Sequence, residues 1–394
     1  SLESPENIII FFKKINSKSN KLVISKKNKK DEIVFNDFKI KIENNKSKIA
    51  KIITRYKKND LAFWGAGGFA VAAMHLYKLP INFDSFLMDK DTSKHGLFFY
   101  QQKIKINPII IRTIKQKGIT ALKLKILQNV KDLYTMIKWN EKNGIKVLRI
   151  SSEMFPHYSN SRVVSYSMDF VEPLLKEIGK YARSLNHRLS FHPGQYNVVG
   201  TPNEKYFQQT IRDLSYHAEV LDKMEMGKNS VMVVHGGGIY GDKEKTKKRW
   251  CENYKKLPEN VRKRLVLENC EKCFSIKDCL DVSKSIGIPV VFDTHHFTCY
   301  KLLHPDEIFE KEEYYIPKIL QTWKLKNIKP KFHISEQGSG RCGHHSDYIE
   351  TIPNYLLEIP DKYNMEFDII VEAKMKEQAI FRLYRKYPFL DCKV

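Results

Sequence analysis

One short apolar run after another in this chain ends on a side chain able to hold a metal ion. LSFHPGQY carries His192, VMVVHGGG carries His235, LVLEN carries Glu268, and VVFDTHH carries Asp293 and His296. PKFHIS, GHHSDYI and DIIVEA then supply His333, the pair His344 and His345, and Glu372. Runs of about 4–8 residues rich in Val, Ile, Leu and Phe are too short for helices and read as buried strands. A ligand type placed repeatedly after such strands predicts side chains converging at one end of a parallel sheet.

Between the runs lie helical segments. ITALKLKILQNVKDLYTMIKWNEKNG has helical apolar spacing and stops at Asn143-Gly144, a good termination signal. IKVLRIS, RLSFHP, VMVVHGG, RLVLEN, PVVFDTHH, PKFHIS and FDIIVEA then alternate with helices such as PDEIFEKEEYYIPKILQTW. With GLFFYQQ as a first strand this makes about eight strand–helix units, the number that closes an α/β (β/α)8 TIM barrel. An open doubly wound sheet would gather ligands at one crevice, whereas here they follow nearly every strand. The expected division is a basic N-terminal extension over residues 1–94, partly disordered or accessory, and a barrel over 95–394. The GAGG cluster at 65–68 is not a dinucleotide fingerprint, so no nucleotide cofactor is expected.

The net charge of +23 accompanies 42% apolar residues, so a real core and a polyanionic partner are both expected. No window approaches the ~18 apolar residues of a membrane span, and no signal-peptide layout is present. The chain starts at Ser1, which allows for a removed leader or tag. Seven cysteines without framework spacing read as reduced thiols in an intracellular protein, nuclear or cytoplasmic.

Imidazoles with carboxylates suit Zn2+, Mn2+ or Fe2+ better than Ca2+. The candidates exceed what one tetrahedral ion needs, so two or more ions sharing a carboxylate are expected, as in phosphoryl-transfer centres. After His192, Pro193-Gly194 makes a tight turn that displays Gln195 and Tyr196, an amide and an aromatic able to wedge into a base stack. Arg149 and the run KEKTKKRW are candidate phosphate contacts.

Taken together, RISSEMFPHYS, LSFHPGQYNVVGTP, VVHGGGIYGDK, LEN, VVFDTHH, KFHIS and VEAKMKEQA resemble the ultraviolet-damage endonuclease family over roughly residues 119–386. The resemblance implies a TIM barrel related to endonuclease IV, holding two to three divalent ions. Mn2+ is favoured, with Zn2+ or Mg2+ as alternatives. It implies that double-stranded DNA is cut immediately 5′ to pyrimidine dimers, 6-4 photoproducts or abasic sites, leaving a 3′-hydroxyl; a monomer is expected.

By motif, Glu268 would bridge two ions, with Asp293, His333 and Glu372 around one and His192 and His235 around the second. His296 and His345 match a third position, His345 being preferred to His344. Lys331 matches a lysine that the family can carry carboxylated, and Gln195 and Tyr196 match its lesion-probing pair. Glu268, Lys331 and His296 are thereby the catalytic candidates. Two places depart from the family pattern. Ser159-Asn160 stands where many relatives have Ser-His, leaving Asn160 to bond a phosphate or water. GLFFYQQ aligns poorly with the first strand, so Tyr100 and Gln101 are weak candidates. The competing readings are an abasic-site endonuclease lacking photoproduct activity, a metal-dependent sugar isomerase on the same barrel, and a catalytically dead DNA-binding protein.

Overall fold

The computed structural model describes residues 62–64, 86–88, 111–160 and 164–392. The chain divides into two compact units, Ser1–Gln102 and Lys103–Val394. In the first, β1 (Ala62–Trp64) and β2 (Phe86–Met88) pair in parallel. The expected strand GLFFYQQ, with Tyr100 and Gln101, and most of the basic arm lie outside the described residues.

The second unit is a nearly closed TIM barrel. Seven parallel strands follow one another in sequence order: β3 (Val147–Ile150), β4 (Arg188–Phe191), β5 (Met232–His235), β6 (Leu265–Glu268), β7 (Val290–Asp293), β8 (Lys331–Ile334) and β9 (Asp368–Val371). Every residue of β4, β6, β7 and β8 is buried. Parallel strands covered on both faces read as unbroken apolar runs rather than alternating ones, which is why four-residue strands stood out in the sequence.

The helices form the outer layer: α1 (Ile111–Lys142), α2 (Glu172–Ser184), α3 (Glu204–Lys223), α4 (Lys243–Lys256), α5 (Glu259–Arg264), α6 (Ile276–Ile286), α7 (Thr294–Leu303), α8 (Glu312–Lys324), the short α9 (Asn354–Leu357) and α10 (Ile359–Tyr363), and α11 (Glu377–Lys386). Apolar spacing located α1 from residue 119, and the structure adds helical residues before it. Gly118, with φ 72° and ψ −178°, breaks the run there; only glycine adopts that backbone without strain. α6 starts with a capping box, in which Ser275 and Asp278 bond each other's backbone N–H, and it stops at left-handed Gly287. These local signals fix where a strand hands over to a helix.

Register brings the strand ends together. His235 pairs with Glu268 across β5 and β6, and Asp293 with His333 across β7 and β8. Below them Arg188, 6% exposed, donates to Asp368 Oδ2 at 2.8 Å and to the carbonyls of Asn229 and Pro330. This ties β4 to the base of β9. Among the described residues no helix is long and apolar enough to cross a membrane.

Candidate metal centre and nucleic-acid surface

Glu268, wholly buried at the end of β6, is the centre of the cluster. Its Oε2 lies 2.9 Å from His192 Nε2 and 3.2 Å from His235 Nε2, and its Oε1 lies 2.7 Å from His333 Nδ1. His333 Nδ1 is also 3.2 Å from Glu372 Oε1, and His345 Nε2 is 3.7 Å from Glu372 Oε2. The ring of His344 instead packs beside Gly340. Arg149, from β3, donates to Glu372 as well. So β3 through β9 each end at or next to one small volume.

Two sets of ligand atoms lie within 4.8 Å of one another: His192, Glu268, His333 and Glu372, and His235, Glu268 and His296. Glu268 belongs to both, the sharing expected of a bridging carboxylate. The partition differs from the one the resemblance implied, since His192 sits with His333 and Glu372, and Asp293 stands in neither set. His192 and His333 hydrogen-bond directly to Glu268, which draws those two rings toward its carboxylate.

Asp293 caps α7, its Oδ1 accepting from His296 N at 2.7 Å. Its Oδ2 is buried without a hydrogen-bond partner, as are His235 Nε2, His333 Nε2 and Lys331 Nζ. The 3.2 Å approach of His235 to Glu268 is thus an ion-pair contact without hydrogen-bond alignment. Buried polar atoms are nearly always satisfied in native proteins. Two ring nitrogens, a carboxylate oxygen and an amine left unpaired in one cluster are the donor set that divalent cations complete. The residues therefore fit metal ions.

The electrostatics follow from burial and crowding. Burial opposes charge on Glu268, but His333, the bond from His192 and the nearby His235 imidazole hold its carboxyl well below the ordinary range. Glu372 is held low likewise, burial being outweighed by His333 and Arg149. For Asp293, burial and the charges of Glu268 and Glu372 push the carboxyl up. Burial would lower His296, yet Asp293 and Glu268 raise it to about 9. Lys331 is fully buried, and burial, then Arg188 and Arg149, drives its amine far below the usual lysine value.

The HPGQY turn stands at the rim. Gln195 and Tyr196 are exposed, Tyr196 to 61%. A Cβ at Gly194 would come within 2.5 Å of the Tyr196 ring, so glycine lets that ring fold back over the turn. Asn197 locks the loop by donating to Gly194 O at 3.0 Å and to Asp213 Oδ2 at 2.8 Å. Ser159 donates to the other oxygen of Asp213 at 2.7 Å. Asn160 is exposed, with its backbone bonded to His157 and Val164. Much of KEKTKKRW is occupied internally: Lys243 pairs with Asp278 and Glu307, Lys247 with Glu244, Asp278 and Asp281, and Arg249 donates to Gly200 O. A cavity of about 330 Å³ lies beside the cluster, lined by Thr294, His295, Ser335, Glu336 and Gln337 among others.

Asn197 and Asp213, which hold the HPGQY turn, and Asn269, which adjoins Glu268, were not singled out from the sequence. Asn197 and Asn269 lie inside the quoted LSFHPGQYNVVGTP and LVLEN runs, whereas nothing in the sequence marks Asp213.

A family model described as "UV-endonuclease UvdE" matches residues 102–392. A protein of Acanthamoeba polyphaga mimivirus is 40% identical over 283 residues, covering 71% of this chain and 84% of that one. The "UV-damage endonuclease" of Schizosaccharomyces pombe is 36% identical over 290 residues, 70% of this chain but 46% of that longer protein. The solved structure "Crystal Structure of SacUVDE" superposes with a TM-score of 0.61 at 30% identity, over 72% of this chain and 93% of that one.

Proposed function

The chain belongs to the UV-damage endonuclease family of DNA repair nucleases, and from that premise we propose that it nicks duplex DNA immediately 5′ to ultraviolet photoproducts, and at abasic sites, using two to three divalent ions, preferentially Mn2+. The observation that carries this reading is Glu268 shared between the His192–His333–Glu372 and His235–His296 sets.

His192, Glu268, His333 and Glu372 would hold one ion and His235, Glu268 and His296 another, with Asp293 and His345 as adjacent ligands. When bound, such ions polarise water and the phosphate and neutralise charge on the leaving oxygen. The protein's own part is to keep the carboxylates charged in a dry pocket and the imidazoles in fixed positions. Burial drives the Lys331 amine far below the usual lysine value, which favours its neutral form. Its amine is therefore able to attack CO2, form an N–C bond and release a proton, giving the carbamate that the family resemblance implies.

At the rim, Tyr196 and Gln195 read the lesion. A dimer stacks poorly, so separating it from its neighbours costs less than separating normal bases. A ring held by Gly194 and Asn197 enters that gap without losing much freedom.

The test is nicking of irradiated, depurinated and untreated plasmid with and without Mn2+, by wild type and Glu268→Gln. Cuts on irradiated DNA that need Mn2+ and vanish in the variant are expected. Cuts on depurinated DNA alone would favour an abasic-site enzyme. Full activity of Glu268→Gln would overturn the bridging role.

A further inference from the structure

The backbone ladder between β6 and β7 runs only through Leu267↔Val290 and Glu268↔Val291. Beyond it, the wholly buried side chain of Asn269 takes over. Its Nδ2 donates to Asp293 O at 3.0 Å, and its Oδ1 accepts from Asp293 N at 2.9 Å. The amide thus imitates the next residue of a strand, offering one donor and one acceptor to the same residue. The backbone carbonyl of Asn269 faces His296, whose Nδ1 lies 3.0 Å away. A carbonyl accepts only, so in the neutral ring Nδ1 carries the hydrogen and Nε2 keeps the lone pair. Asp293 N–H and C=O are fixed by the side chain, and the His296 ring by the main chain, of one residue.

We propose that Asn269 is a positioning residue of the metal centre, setting the place of Asp293 and the tautomer of His296 together. Resting on the reading that the cluster binds divalent ions, it explains why two groups on one turn, Asp293 and His296, hold their geometry although Asp293 Oδ2 has no partner of its own. A histidine ligand is commonly aimed by a bond from its other nitrogen to a carbonyl, and losing such outer support costs about 10–100-fold in metal affinity. No residue other than asparagine meets both Asp293 groups from this position. Leucine has nearly its shape but neither bond, aspartate lacks the donor when ionised, and glutamine is one methylene too long.

Two measurements on the full chain without DNA test this. The first is calorimetric Mn2+ binding by wild type, Asn269→Leu and Asn269→Ala, each checked for folding by thermal melting. Both variants are expected to fold and to bind Mn2+ about 10–100-fold more weakly. The second is ¹⁵N-imidazole NMR of metal-free protein at about pH 10, where free imidazoles are neutral, with the His296 signal assigned through His296→Gln. Nδ1–H is expected in wild type and in any folded variant, because the carbonyl that accepts from it belongs to the main chain. Wild-type affinity in a folded variant, to within about twofold where the expected loss is tenfold or more, overturns the proposal. Nε2–H at His296 in wild type overturns it even if neither variant folds. If wild type itself binds no Mn2+, the metal reading fails, whereas the tautomer still reports on the clamp.

Discussion

Arg149, on the first strand of the barrel, donates to Glu372, just beyond the last. The pair spans the seam between β3 and β9, and it turns a residue that the sequence offered as a phosphate contact into an internal partner of a metal-ligand candidate. The guanidinium is about one-third exposed and the carboxylate much less so. The pair therefore works in a partly dry setting.

Replacing Arg149 with alanine should strip Glu372 of this partner. A hydrogen bond to a charged group contributes about 1.5–3 kcal/mol, and partial exposure argues for the lower end. Thermal melting of the metal-free protein should show a drop of about 2–4 °C for a domain of this size. An unchanged melting temperature would mean that the seam is held by other contacts.

Tyr196→Ala should leave the melting temperature alone, because the ring is largely exposed. Discrimination should suffer instead. Stacking of a base on an aromatic ring contributes about 1–3 kcal/mol, so the preference for irradiated over intact duplex should fall at least about fivefold. Binding titrations with the two duplexes at one fixed salt concentration would reveal an equal loss on both, and that result would count against a lesion-reading role.

Lys331→Met should separate stability from activity. The amine is buried, pushed far below the usual lysine pKa by that burial, and without a hydrogen-bond partner. An apolar chain of similar length relieves the desolvation cost. Unfolding in urea should show the variant at least as stable as wild type, while nicking drops by about tenfold or more, as expected when support to a metal site is lost. A variant that is less stable yet fully active would contradict both halves.

Acid should weaken the fold through His187 and His217. Burial lowers the pKa of both below the ordinary 6.5. Their unfolded forms therefore bind protons more readily than the folded ones. Stability from these groups is complete above pH 6.5 and is lost as pH falls from there through the folded values. Urea melts across that range should slope downward toward acid, and His187→Asn should flatten part of the slope. Glu141, which accepts from Lys146 and His187 and is held below the ordinary 4.5 by those partners, adds its loss at lower pH still.

The strand ends were legible because a parallel barrel forces apolar runs to be short, unbroken and followed by polar groups at one rim. His192, His235, Glu268, His333 and Glu372 could be named from that pattern and the family motifs alone. Which of them share an ion was not legible. That depends on how far the ring of strands closes: the His192 ring lies 5.1 Å from that of His235 and 5.9 Å from that of His333, yet its ligand atom groups with those of His333 and Glu372. Arg149 and KEKTKKRW show a second limit: a cation in sequence does not disclose that an acid brought close by the fold already occupies it. The expected first strand lies where the structure describes nothing, so the eight-unit count is carried by seven strands.

The cluster draws on β4 to β9, and Arg149 adds β3 through Glu372. Ions bound there would therefore fasten strands far apart in sequence, because binding to the native state alone adds to folding stability in proportion to ligand supply. The supply of that ion would then set not only how fast each molecule works but how many molecules survive proteolysis. Starvation for the ion would be read as a smaller repair pool before it was read as a slower one.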